Sequence, residues 1–132
     1  MPLLPSKPKP SNSARLRAYR EGHRGEAFAA WFLRLKLYRI RARRVKTPVG
    51  EIDLVAERFG TTVFVEVKAR AFSSGEAEAL AAVNRRRIVR AAQYYIVRHP
   101  RLAETPMRFD VIFLAPFAWP RHVRNAFDAT GL

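Results

Sequence analysis

Gly50-Glu51-Ile52-Asp53-Leu54-Val55-Ala56 and Val63-Phe64-Val65-Glu66-Val67-Lys68-Ala69-Arg70 are the two runs that decide the fold of this chain. Both are rich in β-branched residues and predict neighbouring strands. Between them Glu57-Arg58-Phe59-Gly60 reads as a short hairpin loop with glycine at its end. Alternation along a strand sends Glu66 and Lys68 to one face and Val65 and Val67 to the other, and an antiparallel hairpin can set Asp53 beside the first pair. Two carboxylates and a lysine converging in a basic protein suit metal-assisted cleavage of a phosphodiester.

Working outward, Phe28, Trp31, Phe32 and Leu35 recur at helical spacing, with Ala29, Ala30, Leu33 and Leu37 as a second apolar stripe. This predicts a helix over 25–37, preceded by a weaker helical pattern over 14–23. Being apolar on nearly all sides, the helix should be buried against a sheet, which makes its acid, Glu26, conspicuous. Residues 38–45 read as a first strand, punctuated by Thr47-Pro48-Val49-Gly50. After Ser73-Ser74-Gly75 a second long helix is expected over 76–98, stopped by Pro100. A fourth strand follows over 107–115 and a short fifth over 123–128. Helix, three strands, helix and further strands form an α/β fold, a central mixed β-sheet flanked by helices. The helix between the third and fourth strands implies a crossover, so those strands should be parallel if adjacent.

The chain has 132 residues, enough for one sizeable core. Residues 1–12 carry prolines at 2, 5, 8 and 10 with Lys7 and Lys9, the composition of a disordered basic tail, and 13–132 form the domain. Twenty-five Lys and Arg against eleven Asp and Glu leave +14. A field of that size attracts a polyanion, and nucleic acid is the leading partner. No cysteine is present, which excludes disulfides and thiolate zinc sites and fits a cytoplasmic location. Neither a secretory signal nor a membrane span is visible.

Magnesium (Mg2+), or manganese (Mn2+) in its place, takes one or two carboxylates plus phosphate oxygens and water, and Asp53 and Glu66 supply that minimum. The main-chain carbonyl of Val67 could add a ligand, its side chain facing the core. Lys68 would orient or help deprotonate water, or neutralise developing charge. Glu51 shares the face of Asp53 and could tune the site. As ordinary surface pairs on half-buried strands these residues would contribute under a kilocalorie each. Their apolar flanks and the rarity of acids in so basic a chain argue otherwise.

Gly25-Glu26-Ala27, Gly50-Glu51-Ile52-Asp53-Leu54, Phe64-Val65-Glu66-Val67-Lys68-Ala69-Arg70 and Arg108-Phe109-Asp110-Val111 together resemble the signatures of the YraN-like family of predicted endonucleases, over about residues 22–114. That family falls in the restriction-endonuclease-like superfamily with its PD-(D/E)xK pattern and is similar to Holliday-junction resolvases. The resemblance implies a single restriction-endonuclease-like domain. It also implies a metal-dependent endonuclease acting on DNA, with branched or recombination and repair intermediates as candidate substrates. Glu26 would match the helical acid, Asp53 the strand aspartate, and Glu66 with Lys68 the E-x-K pair. The proline that often precedes the aspartate is Ile52 here, as is normal for the family.

Contacts to phosphate would come from Arg39, Arg41, Arg43, Arg44, Arg70, Arg85, Arg86 and Arg87, since guanidinium forks suit phosphate. No helix-turn-helix, zinc finger or aromatic RNA-binding signature indicates base readout. A homodimer would give two active sites to a symmetric junction, though no interface signature is visible. Asp110 reads as a salt-bridge partner for a helix arginine, and His23, His99 and His122 as structural or surface residues. A module that keeps the nuclease fold and binds nucleic acid without turnover is the competing reading.

Overall fold

The structure is a computed structural model that describes residues 25–69 and 83–129. The expected tail, the weak helical pattern over 14–23, Arg70 and the first residues of the expected second helix lie outside them. Five strands form one sheet in the order β1 (Arg39–Thr47), β2 (Gly50–Arg58), β3 (Thr61–Ala69), β4 (Met107–Leu114) and β5 (Arg121–Phe127). All neighbours are antiparallel except β3 and β4, which run parallel, as the crossover demands. The crossover contains helix α2 (Arg85–Arg98) and a short 3-10 turn, Pro100–Glu104.

Helix α1 spans residues 25–35 and covers one face of the sheet, packing Ala29, Ala30 and Leu33 onto Leu54, Ala56, Val63, Val65 and Ile112. Helix α2 covers the other, placing Ile88, Val89, Ala92 and Tyr95 among Val55, Phe64, Phe109 and Val111. Helix α1 is buried against the sheet as expected, but along one side only. Its small stripe is the buried one, while Phe28, Trp31 and Leu35 remain 44, 47 and 59% exposed. Alanine lets the helix approach the sheet closely, and the larger side chains then point away from it.

Local chemistry fixes the boundaries. Helix α1 ends before Leu37 because Leu37 adopts φ 69°, while Tyr38 N–H reaches the Leu33 carbonyl and Leu37 N–H the Arg34 carbonyl. These two bonds define a Schellman stop with leucine where glycine is usual. The β2–β3 loop is shorter than expected. Only Phe59 and Gly60 turn, both at positive φ (51° and 80°), the primed geometry that matches strand twist. Helix α2 begins at Arg85, since Asn84 caps it by accepting the Arg87 N–H at 3.2 Å, and Val83 and Asn84 are not helical; residues 76–82 of the expected helix lie outside the described residues.

Candidate active site

The β2–β3 pairing runs from Arg58–Thr61 to Leu54–Val65 and ends there. One residue beyond, the Oδ2 of Asp53 accepts the Val67 N–H at 2.8 Å. The strands thus part where the two acids stand opposite each other. Across β2, Arg44 occupies the gap between the Arg43–Leu54 and Val45–Ile52 pairs, with φ 49°. A left-handed arginine inside a strand is strained by roughly 1–3 kcal/mol. Its consequence is local: Arg44 Nε comes to 3.4 Å from Glu26 Oε2, tying α1 to the edge strand.

Glu51, Asp53, Glu66 and Lys68 line one cleft of about 390 Å³, completed by Asn84, Arg87 and Ile88 from the start of α2. Lys68 Nζ lies 3.6 Å from Glu66 Oε1. Gly50 makes the close approach of α2 possible. A Cβ there would stand 2.7 Å from Arg87 Cγ and 3.1 Å from the Arg87 carbonyl oxygen.

Electrostatics mark the same spot. Burial, then the facing Asp53 charge, push Glu66 up from 4.5 to about 8, against the pull of Lys68. Burial likewise raises Asp53, only partly offset by the Val67 N–H. Two like charges held this close keep one proton between them well above the usual carboxylate range. Glu26 is raised to about 7 by burial and then by Asp53, so it stands within electrostatic reach of the pair. It does not line the cleft, and its Oε2 accepts no hydrogen bond.

Of the sequence-derived residues, Asp53, Glu66 and Lys68 are therefore brought together, with Glu26 beside rather than inside the cleft. The Val67 side chain packs toward the α1 face, as expected, while its N–H serves Asp53. Among the described residues no group of three or more His, Asp or Glu side chains is close enough to cage a metal. Two carboxylates suffice for an ion that keeps most of its water, and a pair that retains a proton for want of counter-charge is a chemically suitable seat.

Arg39, Arg41 and Arg43 are exposed along the edge strand β1, and Arg41 is bonded to Glu57. Arg85, Arg86 and Arg87 are exposed in the first turn of α2, and only Arg87 faces the cleft. The reading of Asp110 is corrected in its partner. Its fully buried carboxylate takes Arg108 Nε and a terminal guanidinium nitrogen at 2.8 Å each, His122 Nε2 at 2.7 Å and the Asn125 N–H at 2.9 Å. The arginine comes from its own strand, not from a helix. Arg108 also donates to the Tyr38 hydroxyl at 2.7 Å, so this cluster ties β4 and β5 to the entry of β1. Sequence reasoning missed Asn84 and Gly50. The signal for Asn84 was a capping residue directly before an arginine-rich helical turn.

A mixed sheet with an aspartate on one strand, E-x-K on the next and a helix against each face defines the class: an α/β domain of the PD-(D/E)xK type. Residues 25–114 match the family described as "Uncharacterised protein family UPF0102", and the chain belongs to that family. It is 48% identical over 116 residues to a UPF0102 protein of Chelativorans sp. (strain BNC1), covering 88% of this chain and 94% of the relative. It is 49% identical over 112 residues to one of Parvibaculum lavamentivorans, covering 85% and 84%. To one of Mesorhizobium japonicum it is 50% identical over 116 residues, covering 88% and 93%. No helix among the described residues is long and apolar enough to cross a membrane.

Proposed function

We propose that the chain is a metal-dependent endonuclease that hydrolyses phosphodiester bonds in DNA. The observation that supports this most is the opposed pair Asp53 and Glu66 with Lys68 at 3.6 Å from Glu66, in one cleft of a chain carrying +14. Asp53, Glu66 and the Val67 carbonyl would hold Mg2+ or Mn2+. When bound, such an ion polarises the scissile phosphate and acidifies water.

The protein's own groups divide the remaining work. Arg87, at the start of α2, brings positive charge to the cleft, a suitable partner for a phosphate. Lys68 positions the attacking water or meets charge developing on the phosphate. Glu66, whose carboxyl is raised by burial and by Asp53, would complete the carboxylate pair that holds the ion. Glu26 and Arg44 hold the edge of the site and bias its field.

Purified protein with magnesium or manganese should cut at least one of branched, nicked, single-stranded or linear DNA, and Asp53→Asn and Lys68→Ala should abolish cleavage while preserving the fold. Binding that is indifferent to Asp53 and Glu66 substitution, with no metal uptake by calorimetry and no cleavage, would replace this reading by a non-catalytic binding module.

A further inference from the structure

Strands β3 and β4 run parallel, so both end on the same side of the sheet, with Lys68 opposite Phe113 and Ala69 opposite Leu114. Strand β5 starts from that side, and Arg121 pairs with Phe113. Lys68, Phe113 and Arg121 therefore form one row across three strands. The β4–β5 loop, Ala115-Pro116-Phe117-Ala118-Trp119-Pro120, springs from this row, on the strand next to the one carrying Glu66 and Lys68.

Two aromatic rings in that loop face solvent. Phe117 is 108% exposed and Trp119 76%, whereas Pro120 is buried and anchors the loop's far end. Phe117 is also held at φ 60°, a left-handed conformation that costs a bulky residue energy. Two large rings in one loop, both turned to solvent, gain little from the core of their own fold and offer apolar ring faces to a partner.

We infer that Phe117 and Trp119 form a stacking platform for unpaired bases, making the substrate class a nucleic acid with a single-stranded segment next to the cleaved bond. This rests on the reading of the cleft as a phosphodiester-cleaving site. Neighbouring strands lie about 4.8 Å apart, so the loop is within a few nucleotides of Lys68. A +14 chain attracts the backbone, while every base offers a ring face for stacking without sequence preference. An anionic membrane would also attract positive charge and aromatic rings. The patch, however, is a single short turn carrying two rings, a smaller apolar surface than membrane adsorption uses.

The test uses the full chain in EDTA, where cleavage is suppressed, and the Trp31→Phe background, in which Trp119 is the sole tryptophan. A thymine oligonucleotide should quench Trp119 fluorescence saturably, and a blunt duplex should leave it nearly unchanged. By anisotropy of a labelled oligonucleotide, Phe117→Ala and Trp119→Ala should each weaken single-strand binding by roughly tenfold while leaving duplex binding and Tm as they were. Equal quenching by both nucleic acids, an unchanged ratio of affinities in the variants, or a response to phosphatidylglycerol vesicles but not to the oligonucleotide would overturn the inference. A separate cleavage assay with manganese tells the two readings apart. Selective quenching without cleavage fails only the nuclease reading, and duplex cleavage that is indifferent to both rings fails only this one.

Discussion

Asp53 Oδ2 accepts the Val67 N–H at 2.8 Å where the β2–β3 pairing has ended, so one carboxylate both seals the sheet and faces the second acid of the cleft. These two roles separate by substitution. Asp53→Asn keeps an oxygen for the Val67 N–H and removes one of two opposed charges, so at pH 8 in EDTA it should melt higher than the parent. Asp53→Ala leaves the N–H without its acceptor and should lose about 1–3 kcal/mol relative to Asn. Denaturant unfolding of both variants decides, and equal stability would show that the bond to Val67 contributes nothing.

The pH dependence of the metal-free protein follows from Glu66 and Glu26. Their folded values, about 8 and about 7, lie above the ordinary 4.5. Between 4.5 and 8 the folded state therefore holds more protons than the unfolded chain, and stability must fall as pH rises through that window. Asp110 acts oppositely. Its carboxyl is lowered because the bonds from His122 and Arg108 outweigh burial, so its contribution is lost only as pH falls below about 3.8. The melting temperature in EDTA should peak near pH 4.5 to 5, and magnesium should flatten the alkaline decline. A curve rising steadily from pH 5 to 8 would contradict the raised values.

Lys68 lowers Glu66 against burial and against Asp53. Replacing it with alanine should raise the Glu66 pKa further, readable by carboxyl NMR titration, and should cut metal-dependent turnover by about 10² or more. An unshifted Glu66 would mean that the 3.6 Å pair is not formed in solution.

Gly50→Ala tests how the cleft is closed. Its Cβ would stand 2.7 Å from Arg87 Cγ, with the Arg87 carbonyl also in the way. The helix start must shift, at about 1–3 kcal/mol. Cleavage should fall through weaker substrate binding, seen as a raised KM. An unchanged Tm and KM would show that α2 tolerates the shift.

Asp110→Ala should destabilise by about 3–5 kcal/mol, since it strands Arg108 and opens the β4–β5 cluster. Turnover measured well below the melting point should survive, because none of the cluster's residues lines the cleft. Loss of cleavage in a still folded variant would bring this cluster into the chemistry.

Much of this was legible because alternation in β2 and β3 is local. Spacing alone put Glu66 and Lys68 on one face, and the crossover implied the parallel pair. Glu26 was legible as a lone acid among apolar neighbours, but its distance from the cleft depends on how closely Ala29 and Ala30 seat the helix. The end of α1 was not legible, since Leu37 takes a conformation normally signalled by glycine. Asp110 was assigned to a helix arginine although Arg108, two residues away on the same strand, shares its face; only its partners His122 and Asn125 from β5 were announced by no spacing. Asn84 and Gly50 matter through a helix-to-strand approach that spans the crossover.

Among the described residues the hairpin β2–β3 holds every acid of the cleft, while Arg87 arrives only after a long excursion of the chain. Low contact order favours early formation of that hairpin, so the folding nucleus has to bring Asp53 and Glu66 together before helix α2 can cover them. Electrostatic strain of the site is then already felt at the folding barrier. Acid should accelerate folding more than it slows unfolding, and Asp53→Asn should abolish the difference, as chevron plots at pH 5 and pH 8 would reveal.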